Sequence, residues 1–210
     1  MNRRWWAVGA GAAALAVGVA TTKGRGRALD DRLYRAVNRD RGPLADRLFT
    51  AVTELGSIWA SAAAAAALVA RGHRRAAADA LGAASAMWLV GQGVKRAFGR
   101  PRPYEAFEDP RLLIERPRAS SWPSSHPAVL LAFLTVAARD LDLSDGARGA
   151  LAGLAGVVGV SRVYLGVHYP ADVVGGWLLG RGVADLWSGT VSPLVLGRAP
   201  SVHLPGTVTP

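Results

Sequence analysis

Apolar residues in this sequence come in long blocks separated by short, arginine-rich breaks. That arrangement limits the fold more than any other feature, because a helix needs about 20 mostly apolar residues to cross a bilayer. The first block is residues 5–22. It follows Arg3 and Arg4 and carries Trp5 and Trp6 at its edge, where amphipathic rings favour the membrane–water interface. A cleaved signal peptide, with Gly18-Val19-Ala20 as the cleavage site, is the competing reading. The further blocks favour a retained span. Residues 52–70, 76–94, 127–141, 147–160 and 173–196 supply them. The expected fold is all-α, a polytopic membrane bundle of about six transmembrane helices.

Between the first two blocks, residues 23–50 are polar and carry both charges. Leu29, Leu33, Val37, Leu44 and Leu48 recur at near-helical spacing, which predicts an amphipathic surface helix broken around Gly42-Pro43. The chain therefore divides into a first span (1–22), an interfacial segment (23–50), a core with the remaining five spans (51–196) and a disordered tail (197–210). In the sixth block, Arg181 and Asp185 mark either a functional end or a helix contact.

Cysteine is absent, which excludes disulfides, thiolate metal sites and a cysteine nucleophile. The formal charge of +10 suits nucleic acid, anionic lipid or a phosphate substrate. The apolar blocks favour the lipid readings over nucleic acid.

Polar groups at the ends of apolar blocks are functional candidates, because they are costly at membrane depth. Three clusters stand out. The first runs from Lys95 to Pro103 and contains Lys95 and Arg102. Lys95 is one of two lysines in an arginine-rich chain. A lysine point charge suits one phosphate oxygen and an arginine fork suits two. A solvated basic loop is the plainer reading. The second cluster, Ser121 to Pro127, has the look of a helix N-terminus, where backbone N–H groups favour anions. His126 beside it could act as a general acid, although a helix cap with an incidental histidine has the same pattern.

The third cluster, Ser161 to Asp172, has Pro170 in the first turn of the sixth block, with Asp172 two residues later. The helix dipole favours a carboxylate there. Asp172 can bond one ring nitrogen of His168 and leave the other as a nucleophile, while Arg162 adds a guanidinium. A satisfied interface histidine is the bland alternative. Together the clusters give two histidines, a carboxylate and three cations. That set suits phosphoryl transfer, with one histidine attacking in line and the other protonating the leaving oxygen. No Asp/Glu/His spacing fits a metal, so neither metal nor cofactor is expected.

Lys95-x6-Arg102-Pro103, Pro123-Ser124-Ser125-His126 and Ser161-Arg162-x5-His168-x3-Asp172 resemble the three-part signature of the phosphatidic acid phosphatase type 2 / haloperoxidase superfamily, in its membrane lipid phosphatase branch. The resemblance implies that His168 is the nucleophile forming a phosphohistidine and that Asp172 orients it. It implies that His126 is the acid for the leaving group. Lys95, Arg102, Arg162, Ser124 and Ser125 would hold the phosphate.

Two positions depart from the family pattern. Ser125 stands where the family usually has Gly, a change read as tolerated because Ser is small and its hydroxyl can donate. Pro127 biases His126 away from αR, so His126 is expected to precede the helix. The substrates implied are phosphatidic acid, phosphatidylglycerol phosphate or polyprenyl phosphates and diphosphates, met in a lipid bilayer. A lipid phosphotransferase using the same phosphoenzyme and a non-catalytic headgroup-binding protein are the alternatives. The short basic loop 71–75 argues for cytoplasmic termini and an outward-facing site, against the larger Arg and Lys total of 23–50 and 95–125.

Overall fold

The computed structural model describes residues 3–22 and 24–197, all helix, turn and loop, with no strand among them. The helices in chain order are α1 (Arg3–Thr22), α2 (Arg27–Val37), α3 (Pro43–Thr53), α4 (Ile58–Ala70), α5 (Arg74–Phe98), α6 (Pro103–Ala106), α7 (Ser125–Asp140), α8 (Asp145–Tyr164), α9 (Pro170–Leu186) and α10 (Ser192–Val195). A 3-10 turn, Glu54–Gly56, joins α3 to α4, and a π turn, Trp187–Val191, joins α9 to α10.

The bundle forms around α7, ten of whose 16 residues are buried. Its neighbours are α5, α8 and α9. The α5–α7 contact consists largely of small residues, because short side chains let helix backbones approach closely, while α8 meets α7 through Leu130, Leu131 and Val158. Ala77, Ala80, Ala83 and Ala84 of α5 meet Ala128, Val129 and Ala132 of α7 in one cluster. The first helix is an integral part of this bundle. It packs on α9, burying Ala7, Ala10 and Ala14. Trp122, fully buried, wedges between the two at Gly18 and Gly175. A Cβ at Gly175 would stand 2.5 Å from the indole Nε1, so no side chain fits there.

At the end of the bundle that holds the loop after α4, Asp79 of α5 is fully buried. It accepts hydrogen bonds from Arg139, Trp187 and, at 2.7 Å, Ser192. A buried carboxylate needs this many donors, and here they tie α5, α7 and the C-terminal turns together. Arg75 donates to the Leu196 carbonyl at 2.9 Å, so the 71–75 loop and the chain's last described turn lie at the same end. Arg181 and Asp185 form an i,i+4 pair at 2.9 Å on α9, a local contact within that helix.

The all-helical expectation holds, with corrections to its boundaries. Residues 52–70 do not form one helix. The chain bends by 66° between Pro43–Gly56 and Ile58–Ala70, and Ser57 caps α4 by accepting from Ala60 N at 3.0 Å. Among the described residues, one helix, α1, is long and apolar enough to cross a membrane, or two if that bent pair is one span. The other expected spans fall on α5, α7, α8 and α9, whose glycines, alanines and buried polar groups lower their apolarity. Gly82, Gly91, Gly159, Gly175, Gly176 and Gly180 lie against neighbouring elements, where lipid-like side chains are not required, while Gly146, Gly149 and Gly153 of α8 are open.

The 23–50 segment forms α2 and α3, with a break around Gly42-Pro43 as its sequence indicates. Leu29, Leu33, Leu44 and Leu48 are exposed as expected, whereas Val37 is half-buried against Tyr34, Val163 and Tyr169. Of the expected 197–210 tail, residues 198–210 lie outside the described residues.

Candidate active site

Three chain segments converge at the end of the bundle opposite the 71–75 loop. The C-terminal turn of α5 brings Lys95, the loop after it brings Arg102, and the N-terminal turn of α7 brings His126. The last turn of α8 brings Arg162. Gly166, at φ +87°, then reverses the chain in a conformation that favours glycine, and His168 follows just before α9.

Lys95, Arg102, Ser125, His126, Arg162 and His168 line one cavity of about 300 Å³. Trp59, 80% exposed, and Trp88 stand at its apolar side. Two expected phosphate or catalytic residues are not on its wall. Asp172 lies behind His168, completely buried. Ser124 is also completely buried, and its backbone N–H donates to the Asp172 carbonyl at 2.9 Å. His126 was expected to precede α7 but lies in its first turn, with Ser124 as the N-cap. Pro127 is compatible with that position because first-turn N–H groups have no intrahelical acceptor to lose.

The imidazole of His168 is held from both sides. Nδ1 lies 3.4 Å from Asp172 Oδ2 and Nε2 lies 3.4 Å from Arg102 Nη1. Burial first, and then Arg102, Lys95 and Arg162, depress its pKa well below the usual 6.5. The ring is therefore neutral at neutral pH. Asp172 sits at the third helical position of α9 and accepts from the Tyr169 N–H at 2.8 Å, which caps that helix. Ser121 Oγ donates to the same carboxylate oxygen. Arg100 Nη1 donates to the other, Oδ1, at 2.6 Å.

Lys95, Arg102 and Arg162 are 5%, 3% and 5% exposed. None of the three forms an ion pair among the described residues. Carbonyls steer them: Lys95 Nζ donates to Ser120 O at 2.9 Å, and Arg102 donates to Ala119 O at 2.8 Å and to Val167 O at 2.7 Å. Arg162 donates to Thr53 Oγ1 at 3.1 Å, while its Nε and the Ser125 Oγ have no protein partner. Buried, uncompensated cations are costly, and an anion of phosphate shape would satisfy all three. A smaller cavity of about 200 Å³, lined by Arg139, Arg148 and Arg181, differs in this respect. Each of those arginines is paired with aspartate.

Asp30, Arg100, Ser121 and Thr53 belong to this assembly and were not among the residues expected from sequence. Arg100 stands in the same Gly-Arg-Pro-Arg-Pro run as Arg102. Asp30 had one signal, an i,i+4 pairing with Tyr34 on the side of α2 away from Leu29 and Leu33.

A family model described as "PAP2 superfamily" matches residues 75–193. The chain is 35% identical over 101 residues to an undecaprenyl-diphosphatase from Sulfolobus acidocaldarius, a match covering 47% of each chain. It thus spans about half the length of that relative. Among solved structures, it resembles a transmembrane PAP2-type phosphatidylglycerolphosphate phosphatase from Bacillus subtilis. That match has a TM-score of 0.70 and 23% identity over 92% of this chain and 100% of the other. LpxE from Aquifex aeolicus matches with a TM-score of 0.69 and 27% identity over 77% of this chain and 95% of the other.

Proposed function

Because the chain belongs to the PAP2 superfamily, we propose that it is a membrane phosphatase hydrolysing a lipid phosphate or diphosphate through a phosphohistidine on His168. The observation that carries this reading is the trio of buried, unpaired cations around a neutral, carboxylate-backed imidazole. Lys95, Arg102 and Arg162 neutralise the phosphoryl oxygens, and the Ser125 hydroxyl stands on the same cavity wall as an auxiliary donor that the reaction does not require.

His168 Nε2 attacks phosphorus in line. The P–N bond forms as the P–O bond to the lipid breaks, and protonated His126 gives its proton to the leaving oxygen. Burial and then Arg162, Lys95 and Arg102 push the His126 pKa down to about 3, and a bound phosphate raises it again by offsetting those cations, which favours the protonated form. Water then attacks the phosphohistidine, His126 takes a proton from it, and inorganic phosphate and neutral His168 are regenerated. Asp172 holds the Nδ1 proton and orients the ring throughout.

The relatives' names point to phosphatidylglycerol phosphate and undecaprenyl diphosphate as substrates to test first, with phosphatidic acid beside them. With helices counted as six spans, the site end of the bundle faces out of the cytoplasm and the 71–75 loop faces in. Purified protein should release phosphate from at least one of these lipids with no acceptor present. Phosphoryl transfer only when an alcohol is added would identify a phosphotransferase, and binding without turnover a headgroup-binding protein. Reporter fusions at 71–75 should report a cytoplasmic position, and an external report would invert the orientation.

A further inference from the structure

Behind the nucleophile lies a second buried charge pair. Arg100, 4% exposed, donates from Nη1 to Asp172 Oδ1 and from Nη2 to Asp30 Oδ2, each at 2.6 Å. Asp30 is 3% exposed and belongs to α2, the helix whose leucines are on the outer face. Its other oxygen accepts the Ala171 N–H at 2.9 Å, in the first turn of α9. Arg100 also lies 4.3 Å over the Tyr169 ring. Neither Arg100 nor Asp30 lines the cavity that holds the cations and histidines, so neither reaches a bound phosphate.

Asp172 has two oxygens and several claims on them. Oδ2 faces His168 Nδ1, Tyr169 N and Ser121 Oγ. Arg100 is the group that fixes Oδ1. Without it the carboxylate is free to rotate about its bond to Cβ, and the Nδ1 contact is lost in part of the population. Arg100 in turn is kept in place by Asp30, since a lone guanidinium beside Asp172 has other orientations open to it. We propose that Arg100 and Asp30 are positioning residues, a relay from the surface helix α2 that fixes the Asp172 carboxylate and through it the His168 nucleophile. This proposal rests on the reading of His168 as nucleophile.

The relay predicts effects that a merely structural pair would not produce. The charged and titratable groups facing His168 are Asp172 of α9, Lys95 of α5, Arg162 of α8, His126 of α7 and Arg102 of the loop. Arg100→Gln removes a positive charge that compensates Asp172, so protonation of His168 becomes easier and its midpoint rises. Asp30→Asn leaves the whole Arg100 charge on Asp172, so the midpoint falls. General loosening would admit water and raise the midpoint in both variants, toward the ordinary value.

The test is made on the full chain in detergent. Modification of His168 by diethyl pyrocarbonate is followed against pH by peptide mapping, alongside phosphate release from dioctanoyl phosphatidic acid. We expect opposite midpoint shifts for the two variants. We expect kcat to fall about 100-fold in Arg100→Gln with KM little changed, as misplacement of a reacting group predicts. Arg100→Lys should restore part of the loss. Asp30→Asn should add nothing in the Arg100→Gln background, the mark of one coupled unit. Midpoints that move together or stay fixed, or additive losses in the double variant, would overturn the relay. Absence of phosphate release from phosphatidic acid, phosphatidylglycerol phosphate and undecaprenyl diphosphate alike in the unsubstituted protein would overturn the functional reading instead, because the modification midpoints do not depend on turnover.

Discussion

Nη1 of Arg102 lies 3.4 Å from Nε2 of His168. Guanidinium nitrogens carry hydrogen and accept nothing, so the imidazole offers its lone pair at Nε2. The ring proton is then on Nδ1, toward Asp172. One arginine thus marks the nucleophilic nitrogen and points at the place a phosphoryl oxygen would occupy.

The first prediction concerns pH. The pKa of His168 is depressed by burial and by Arg102, Lys95, Arg162 and His126. The neutral form attacks, so activity is present above the depressed value and is lost as pH falls through it. The acid limb of kcat/KM, which reports the free enzyme, should lie below 6.5 once corrected for substrate ionisation. An acid limb from the enzyme at or above 6.5 would contradict this protonation state.

The second prediction separates the two histidines. His168→Ala should abolish turnover of every substrate. In His126→Ala the first step, read as the burst of leaving alcohol before steady state, should slow about 10²- to 10⁴-fold for alkyl phosphates and much less for aryl phosphates, whose leaving oxygens need little protonation. Equal losses on both substrate types would remove His126 from the role of acid.

A third follows from packing. A Cβ at Gly56 would stand 2.6 Å from the His126 Cβ and 2.9 Å from its carbonyl oxygen. Gly56→Ala must therefore displace the first turn of α7. The variant should reproduce the His126→Ala selectivity in that burst, with release of alkyl alcohols slowed about 100-fold and release of aryl alcohols little changed. Unchanged kinetics would mean that the turn before α4 does not position the acid.

The fourth concerns Ser125, whose hydroxyl is buried, has no protein partner and faces Gly91 across 3.4 Å from a would-be Cβ. Ser125→Gly should keep or raise kcat. Loss of most activity would make the hydroxyl a required phosphate ligand.

How much of this was legible in the sequence depends on the range of the interactions. Lys95, Arg102, His126, Arg162, His168 and Asp172 stand at the ends of apolar blocks, where a charge is conspicuous. The bend before α4 has local signals in Glu54, Gly56 and the Ser57 cap, but the long apolar run 58–70 after them masked it. Asp30 sits among the many charges of α2 and differs from Asp31 only in facing the bundle. Arg100 is two residues from Arg102 and looks like part of one basic loop. Its function of bridging Asp30 and Asp172 spans 70 and 72 residues of chain, and no local pattern encodes that. Ser124 shows the reverse. Its motif position suggested a phosphate ligand, while its backbone bonds α9 and its side chain is off the cavity wall.

The intermediate expected on His168 is a phosphoryl group bonded to Nε2. Protein mixed with a radiolabelled lipid phosphate and quenched within a turnover should carry the label as an acid-labile, base-stable adduct mapped to His168. It should accumulate when an aryl phosphate meets His126→Ala, in which the water step lacks its base, and be absent from His168→Ala. Full phosphate release with no adduct on His168, or an adduct mapped to another residue, would contradict it.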